Sequence, residues 1–285
     1  MQENNLIHQG KVRDVYDEGD TLLLVATNRL SAFDRAIAEI PYKAEVLNQL
    51  SAWWFKKTTH IIDNHFISLP SPTSMRAKKC RVFPIEIVVR GYLTGTTNTS
   101  IWTLYQQGER EFFNTVLPDG LTKNVALPQP ILTPTTKSAE HDEPLTVAAL
   151  QAADYMTPEE WRYISEKALA LFAYGQEIAK QSGLILVDTK YEFGKDNEGN
   201  ILLIDECHTP DSSRYWLLDT YQTKLAAKEE PDNFDKELLR LWFRKNCNPY
   251  EDKVLPAAPA ELIEELSRRY QTIYQRLTGD KLWIK

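Results

Sequence analysis

The amino-acid sequence predicts an α+β fold, on three observations. Two stretches read as antiparallel hairpins, an apolar strand runs into a glycine-containing loop, and four further stretches carry helical periodicity. The central hairpin covers residues 184–205. Apolar runs at 184–193 and 201–205 flank the turn-rich segment 194–200, and the chain continues through Thr209-Pro210-Asp211-Ser212-Ser213-Arg214, which reads as a tight loop. Strict alternation puts Leu186, Asp188, Lys190 and Glu192 on one face and Val187, Thr189, Tyr191 and Phe193 on the other. Asp205, at the end of the return strand, meets Glu192 if the register puts their faces on the same side. Such a row of charges fits a solvated face, but acidic residues closing an apolar Ile-Leu-Leu-Ile strand point to a functional site.

Composition narrows the class. The 285 residues exceed one average domain and fit a single two-lobed unit, with 42% hydrophobic and 26% charged residues, the balance of a globular protein. Formal net charge is −7 without a long block of one sign, which leaves no electrostatic case for nucleic acid or an anionic membrane. Cys80, Cys207 and Cys247 are far apart and form no Cys-x-x-Cys pair, which argues against zinc and disulfides and for a reducing cytoplasm. The first residues lack an apolar signal core, and no run approaches the roughly 18 apolar residues of a membrane span.

Along the chain, residues 10–17 read as a strand, Glu18-Gly19-Asp20 as a turn and residues 21–27 as the return strand. Lys11 and Arg13, two apart on one face, suit either a phosphate or a basic edge strand that discourages aggregation. Neither Gly-x-Gly-x-x-Gly nor the Walker loop occurs. Residues 28–35 read as a polar loop. Residues 46–57 read as an amphipathic helix whose tryptophans belong to a core.

Residues 78–90 read as a buried strand ending at Arg90, followed by Gly91-Tyr92-Leu93-Thr94-Gly95-Thr96. An arginine and a glycine turn placed so hold either an anionic ligand or a structural ion pair. Residues 97–144, polar and proline-rich, read as a structureless cover or binding loop, with Lys123, Lys137 and His141-Asp142-Glu143 as its candidates. Thr157-Pro158-Glu159-Glu160 starts a helix that runs to Ser182 and stops at Gly183, and further helices are predicted over 234–245 and 259–277.

Two stretches resemble signatures of the phosphoribosylaminoimidazole-succinocarboxamide synthase, or SAICAR synthetase, family. They are Val82-Phe83-Pro84-Ile85-Glu86-Ile87-Val88-Val89-Arg90 followed by Thr94-Gly95-Thr96, and Leu186-Val187-Asp188-Thr189-Lys190-Tyr191-Glu192-Phe193-Gly194. Gly10-Lys11-Val12-Arg13-Asp14, Ser31-Ala32-Phe33-Asp34, Thr133-Pro134-Thr135-Thr136-Lys137, His141-Asp142-Glu143, Asp205-Glu206 and Pro210-Asp211-Ser212-Ser213-Arg214 follow the family order over nearly the whole chain. One departure is Pro41-Tyr42-Lys43-Ala44-Glu45, where the family commonly has glycines around a lysine, so the role of Lys43 stays open.

The resemblance implies a two-lobed fold related to ATP-grasp and kinase-like nucleotide-binding architectures. Residues 1–82 would form a β-rich ATP lobe, 83–218 a substrate and metal domain, and 219–285 a helical segment packed on it. It implies an ATP-dependent ligase of purine biosynthesis that joins the carboxylate of CAIR to L-aspartate; the cysteines lead us to expect a cytoplasmic chain, monomeric or homodimeric. Its partners are ATP, CAIR, L-aspartate and Mg2+.

The roles it implies fall on particular residues. Glu192 and Asp205 would hold Mg2+, with Glu192 also at the nucleotide; Lys11, Arg13 and Lys137 would face ATP phosphates, and adenine would lie at Arg81 and Val82. Arg90, Thr96 and Ser213 would grip CAIR, and Lys190 and Arg214 the substrate carboxylates. Asp188 and Asp211 would orient substrate or take the amine proton, with no choice between them. A small-molecule kinase on a related scaffold would not need the Arg90 loop and Arg214 together. A silent nucleotide-binding protein would not need Lys190, Glu192 and Asp205.

Overall fold

The computed structural model describes residues 5–137 and 143–284. Strands β1 (Asn5–Gln9), β2 (Arg13–Asp17) and β3 (Thr21–Ala26) lead into a small hairpin of β4 (Arg29–Ala32) and β5 (Arg35–Glu39). Helix α1 (Lys43–Lys57) and strands β6 (Phe66–Ser71) and β7 (Ser74–Lys78) follow. The first sheet is antiparallel in the order β1-β2-β3-β7-β6, and α1 packs on β3, β6 and β7. The predicted turn is present, with Gly19 left-handed at φ 85° and its N–H donating to Asp17. Two readings change here. Residues 5–9, given no element from the sequence, form strand β1, and the polar loop at 28–35 is the β4–β5 hairpin, whose tip residues Phe33 and Asp34 both have positive φ.

The second sheet is built from β8 (Arg81–Val82), β9 (Ile85–Tyr92), β12 (Ala126–Thr136), β13 (Leu184–Lys195), β14 (Ile201–Ile204) and β15 (Ser213–Leu217). Its order is β12-β9-β13-β14, with β15 and β8 also pairing to β13, so β13 has four strand neighbours along its length. Between β9 and β12 lie α2 (Ile101–Gln106), β10 (Glu111–Phe112) and β11 (Thr115–Val116). The expectation of a structureless cover over 97–144 is therefore corrected. Pro128, Pro130 and Pro134 sit in an eleven-residue strand at the end of the sheet order, the position where a missing N–H breaks no ladder. His141 and Asp142 lie outside the described residues, while Glu143 is exposed.

After α3 (Val147–Ala152), α4 (Pro158–Gln181) opens with the predicted capping box. Thr157 Oγ1 accepts from the Glu160 N–H, and the Glu160 carboxylate accepts from the Thr157 N–H at 2.8 Å. It ends before Gly183, at φ 72°, and delivers the chain into β13. Helices α5 (Leu218–Ala227), α6 (Glu237–Asn246) and α7 (Ala260–Thr278) close the chain, and α7 packs on α1. Segment 209–214 is only partly a loop, since Ser213 and Arg214 begin β15.

One apolar core runs through both sheets, from Met75 and Trp54 across Ile87 and Tyr191 to Phe172, Phe243 and Ile273. The sheets are also stitched through the backbone. Leu203 in β14 donates to Asp63 O (2.9 Å) and accepts from the His65 N–H (3.1 Å), and Lys78 in β7 donates to His65 O (2.8 Å).

Helix α4 approaches β13 closely at Gly175, where an added Cβ would collide with the His208 ring and lie 2.8 Å from Leu186 Cδ2. Gly175→Ala should therefore lower stability by about 1–3 kcal/mol through overpacking, despite the better helix propensity of alanine. Urea unfolding checks this; an unchanged or raised midpoint would show that α4 can move away without cost.

Candidate active site

Strand β13 does not keep one alternation. Leu184 and Ile185 pair with Leu217 and Trp216, but Asp188 pairs with Arg214 and Thr189 with Ser213, so Val187 is an extra residue and makes a β-bulge. Before the bulge the even residues Leu184 and Leu186 enter the main core; after it the odd residues Tyr191 and Phe193 do. Leu186 therefore does not share the face of Asp188, Lys190 and Glu192. The bulge turns the following charges away from the core.

Asp205 also departs from simple alternation. The register Glu192↔Ile204 and Phe193↔Leu203 would carry it toward the core side. The strand ends at Ile204, and Asp205 is left-handed at φ 64°, which breaks the alternation and lets its carboxylate meet the part-buried Arg13 guanidinium. Arg13 also donates to Asp205 O at 3.1 Å and lies 3.7 Å from Glu206.

Three charged centres share one cleft of about 600 Å³ between the β4–β5 tip, segment 97–100, β13, the 205–214 segment and the start of α6. In the first, Lys190 Nζ donates to Glu86 (2.6 Å) and Glu192 (3.1 Å), and Lys137 pairs with the other Glu192 oxygen. Burial opposes the Lys190 charge, but Glu192 and Glu86 outweigh it and raise its pKa well above the ordinary lysine value. Burial likewise opposes the Asp205 charge, and Arg13 and Lys190 overcome it to hold its pKa below the usual value.

The second centre is Asp188, whose Oδ2 accepts from Arg214 (2.6 Å) and lies 3.7 Å from Arg90. Burial lowers the Arg90 pKa to about 10 against the pull of Asp188, and Arg214 adds like-charge repulsion. Arg214 also reaches Glu237 (3.3 Å), whose carboxylate accepts from Thr96 (2.5 Å) and Arg240 (3.2 Å).

The third centre is Asp211. Lys43 Nζ, fully buried, lies 3.4 Å from one oxygen and Lys236 Nζ 3.5 Å from the other. Burial works against the Asp211 carboxylate, yet Lys236 and Lys43 keep its pKa at about 2. Burial lowers Lys236 to about 8 and lowers Lys43, each against the attraction of Asp211.

The structure brings Asp188, Lys190, Glu192, Asp205, Asp211, Ser213, Arg214, Arg13 and Arg90 around this cleft. Ser213 shares a 2.7 Å hydrogen bond with Thr189. Lys11 lies at the rim, half exposed, bonded to Asp34 at 3.0 Å; strand β2 starts only at Arg13, so these two basic residues do not act as neighbours on one strand face. Arg81 and Val82 are exposed in β8 beside Gly194 and Lys195, away from the cleft lining. Thr96 is turned to Glu237, and segment 97–100 lines the cleft instead.

Sequence reasoning assigned no role to Glu86, Lys236, Glu237 and Arg240, and left Lys43 open. Glu86 stood inside a quoted signature, and an acid in an apolar strand was the available signal. The two residues of α6 and its cap, Lys236 and Arg240, gave none, because a charged residue every fourth position looks like any helix surface.

The sequence profile of the SAICAR synthetase family matches residues 6–257. The chain belongs to the SAICAR synthetase family. The phosphoribosylaminoimidazole-succinocarboxamide synthase of Legionella pneumophila (strain Paris) is 56% identical over 273 residues, covering 96% of this chain and 88% of that protein. The chloroplastic enzyme of Arabidopsis thaliana is 57% identical over 276 residues, 97% of this chain and 67% of that one. Among solved structures, the SAICAR synthase of Saccharomyces cerevisiae complexed with SAICAR superposes with a TM-score of 0.81 at 33% identity, covering 98% of this chain and 96% of that one. A type-2 SAICAR synthetase in complex with ADP superposes at 0.74 with 27% identity, covering 97% and 99%.

Two outcomes follow from the buried charges. Asp211→Asn strips Lys43 of its ion-pair partner and should cost ~3–5 kcal/mol, whereas Lys43→Met leaves Asp211 paired to Lys236 and should cost clearly less; equal losses in chemical denaturation would refute this asymmetry. His65 and His208 are buried neutral, with pKa values lowered by burial from 6.5 to about 4 and about 3. The unfolded chain then takes up protons that the folded chain does not. Each ring should lower stability by ~1.4 kcal/mol per pH unit below about 6.5, an effect offset in part by Asp235, whose raised pKa of about 7 lets the folded chain bind one proton earlier, so that stability falls on balance. His208→Gln should flatten that limb, as read from urea midpoints between pH 4 and 7.

Proposed function

We propose that this cleft activates the carboxylate of CAIR with ATP and transfers the acyl group to the amine of L-aspartate. Joining CAIR to aspartate at the expense of ATP, in purine biosynthesis, is the reaction of the SAICAR synthetase family to which the chain belongs. The observation that carries the finer reading is the gathering of cations into three separate ion-pair centres along one cleft, since three anionic substrates must meet in a protein of net charge −7.

In this reading residues 1–82 form the ATP lobe, 83–218 carry the acceptor site and 219–285 close it. Arg13, Lys137 and Lys11 face the phosphates, and adenine lies against the exposed β8 backbone at Arg81 and Val82. Arg90, Arg214, Ser213 and Asp188 hold CAIR, with Thr96 acting through Glu237. Lys190 places the reacting carboxylate. A CAIR carboxylate oxygen attacks the γ-phosphorus, ADP leaves, and the aspartate amine then displaces phosphate from the acyl carbon and gives up a proton.

The donor set at Glu192 and Asp205 fits magnesium. It offers hard carboxylate oxygens, now satisfied by Lys137, Lys190 and Arg13, to an ion that takes one or two carboxylates and completes its shell with phosphate and water. When bound, magnesium neutralises phosphate charge. Asp211, a standing anion at pH 7, suits the holding of an ammonium group and not the retention of a proton. Three free cysteines suit the reducing cytoplasm, and the chain works as a monomer or homodimer. Among the described residues, no helix is long and apolar enough to cross a membrane.

ADP release should require CAIR and L-aspartate together; release that needs neither would reject the ligase reading. Asp205→Asn should fold and lose roughly 100-fold or more in kcat. Arg90→Ala should raise the KM for CAIR about tenfold or more while leaving that for ATP within a few-fold, and equal effects on both would remove Arg90 from the CAIR site.

A further inference from the structure

Across the inner half of the cleft, three carboxylates are shared among five cations within 4 Å. Asp188 serves Arg90 and Arg214, Glu237 serves Arg214 and Arg240, and Asp211 serves Lys43 and Lys236. Asp235 and Glu206 offset only part of this excess: Asp235 accepts the N–H groups of Tyr215 and Glu237 while burial and Glu237 push its pKa up to about 7, and Glu206 is drawn to Arg13 (3.7 Å) and Thr209 (2.6 Å). Buried positive charge in excess of its partners calls for an anionic ligand. Arg90 and Arg214 meet part of that need with the phosphorylated acceptor, but Lys236 and Arg240 are given nothing to do by the proposed reaction.

Lys236 caps α6 and Arg240 is four residues on, so the two share the helix face that lines the cleft. Arg240 Nε is buried without a hydrogen-bond partner among the described residues, leaving one side of its planar fork unused. Beside them Asp211 lines the same wall, anchored from behind by Lys43, which lies out of reach of the cleft. Two cations and one anchored carboxylate on the same wall suit an amino dicarboxylic acid.

We propose that Lys236 and Arg240 form the carboxylate receptor that selects an amino dicarboxylate as the amine substrate, with Asp211 accepting its ammonium group and Lys43 acting as the residue that positions Asp211. The proposal rests on the ligase reading above and adds the residues that choose the amine. A neutral side chain in place of the second carboxylate would leave one of the two cations without a partner, so discrimination against L-alanine and L-asparagine is built into the pair.

Steady-state kinetics on the full chain, varying each substrate in turn, test this. Lys236→Gln and Arg240→Gln should each raise the KM for L-aspartate on the order of tenfold, leave those for ATP and CAIR within about twofold, and shrink the preference for L-aspartate over L-asparagine by a similar factor. Lys236→Arg, which keeps the charge, should recover most of the affinity. An aspartate KM unchanged in both glutamine variants, or a rise confined to CAIR, would overturn the proposal. Should one glutamine variant fail to fold, the other carries the same readout, and the selectivity ratio separates lost recognition from general damage. A wild-type chain that forms no product from CAIR and L-aspartate would count against the ligase reading itself and not against this pair.

Discussion

A charged strand in the middle of a sheet is the constraint on which the rest of the architecture depends. β13 buries Asp188 and Glu192 almost completely, and an isolated charge so placed would cost several kcal/mol or would neutralise. Each therefore needs a counter-charge from a neighbour. Arg90 comes from β9, Arg214 from β15, Lys137 from the end of β12 and, further along, Arg13 from β2 for Asp205. The order of the strands around β13 is in this sense an electrostatic arrangement. Neighbours lacking those cations would leave the strand unable to stay buried.

Much of the fold was legible because local chemistry and tertiary context agreed. Thr157 and Glu160 announced the start of α4 by a reciprocal cap, Gly183 marked its end with left-handed backbone, and Gly19 marked the first turn. Strand β12 was not legible because its prolines carry the usual signature of a loop, and only its place at the end of the sheet order excuses them. The β4–β5 hairpin was missed because its turn uses Phe33 and Asp34 at positive φ, where glycine or asparagine would have given a signal.

The site was legible to the extent that its residues lie close in sequence. Asp188, Lys190 and Glu192 could be placed together from period alone, but the Val187 bulge, which decides the side they face, has no mark in the residue types. Lys43 and Lys236 approach Asp211 across long separations in the chain and Arg240 adds its charge from α6, and nothing in their own neighbourhoods distinguishes them from ordinary helix bases. The likeness to known SAICAR synthetases establishes the family. The distribution of charge among the three centres comes from burial and distance in this chain.

The backbone stitch at Leu203 gives the cleft a mechanical property. Residues 63–65 hold Leu203 by two hydrogen bonds and are themselves held by β7, and Leu203 lies two residues before Asp205. Across the cleft the β4–β5 hairpin meets the chain that follows α6, with Phe33 edge-on to Tyr250 and Arg35 donating to the carbonyls of Asp252 and Lys253. The cleft is thus braced at both rims and, behind them, by α1 packed on α7, so the spacing of Asp205 and Arg13 is set by a shared core.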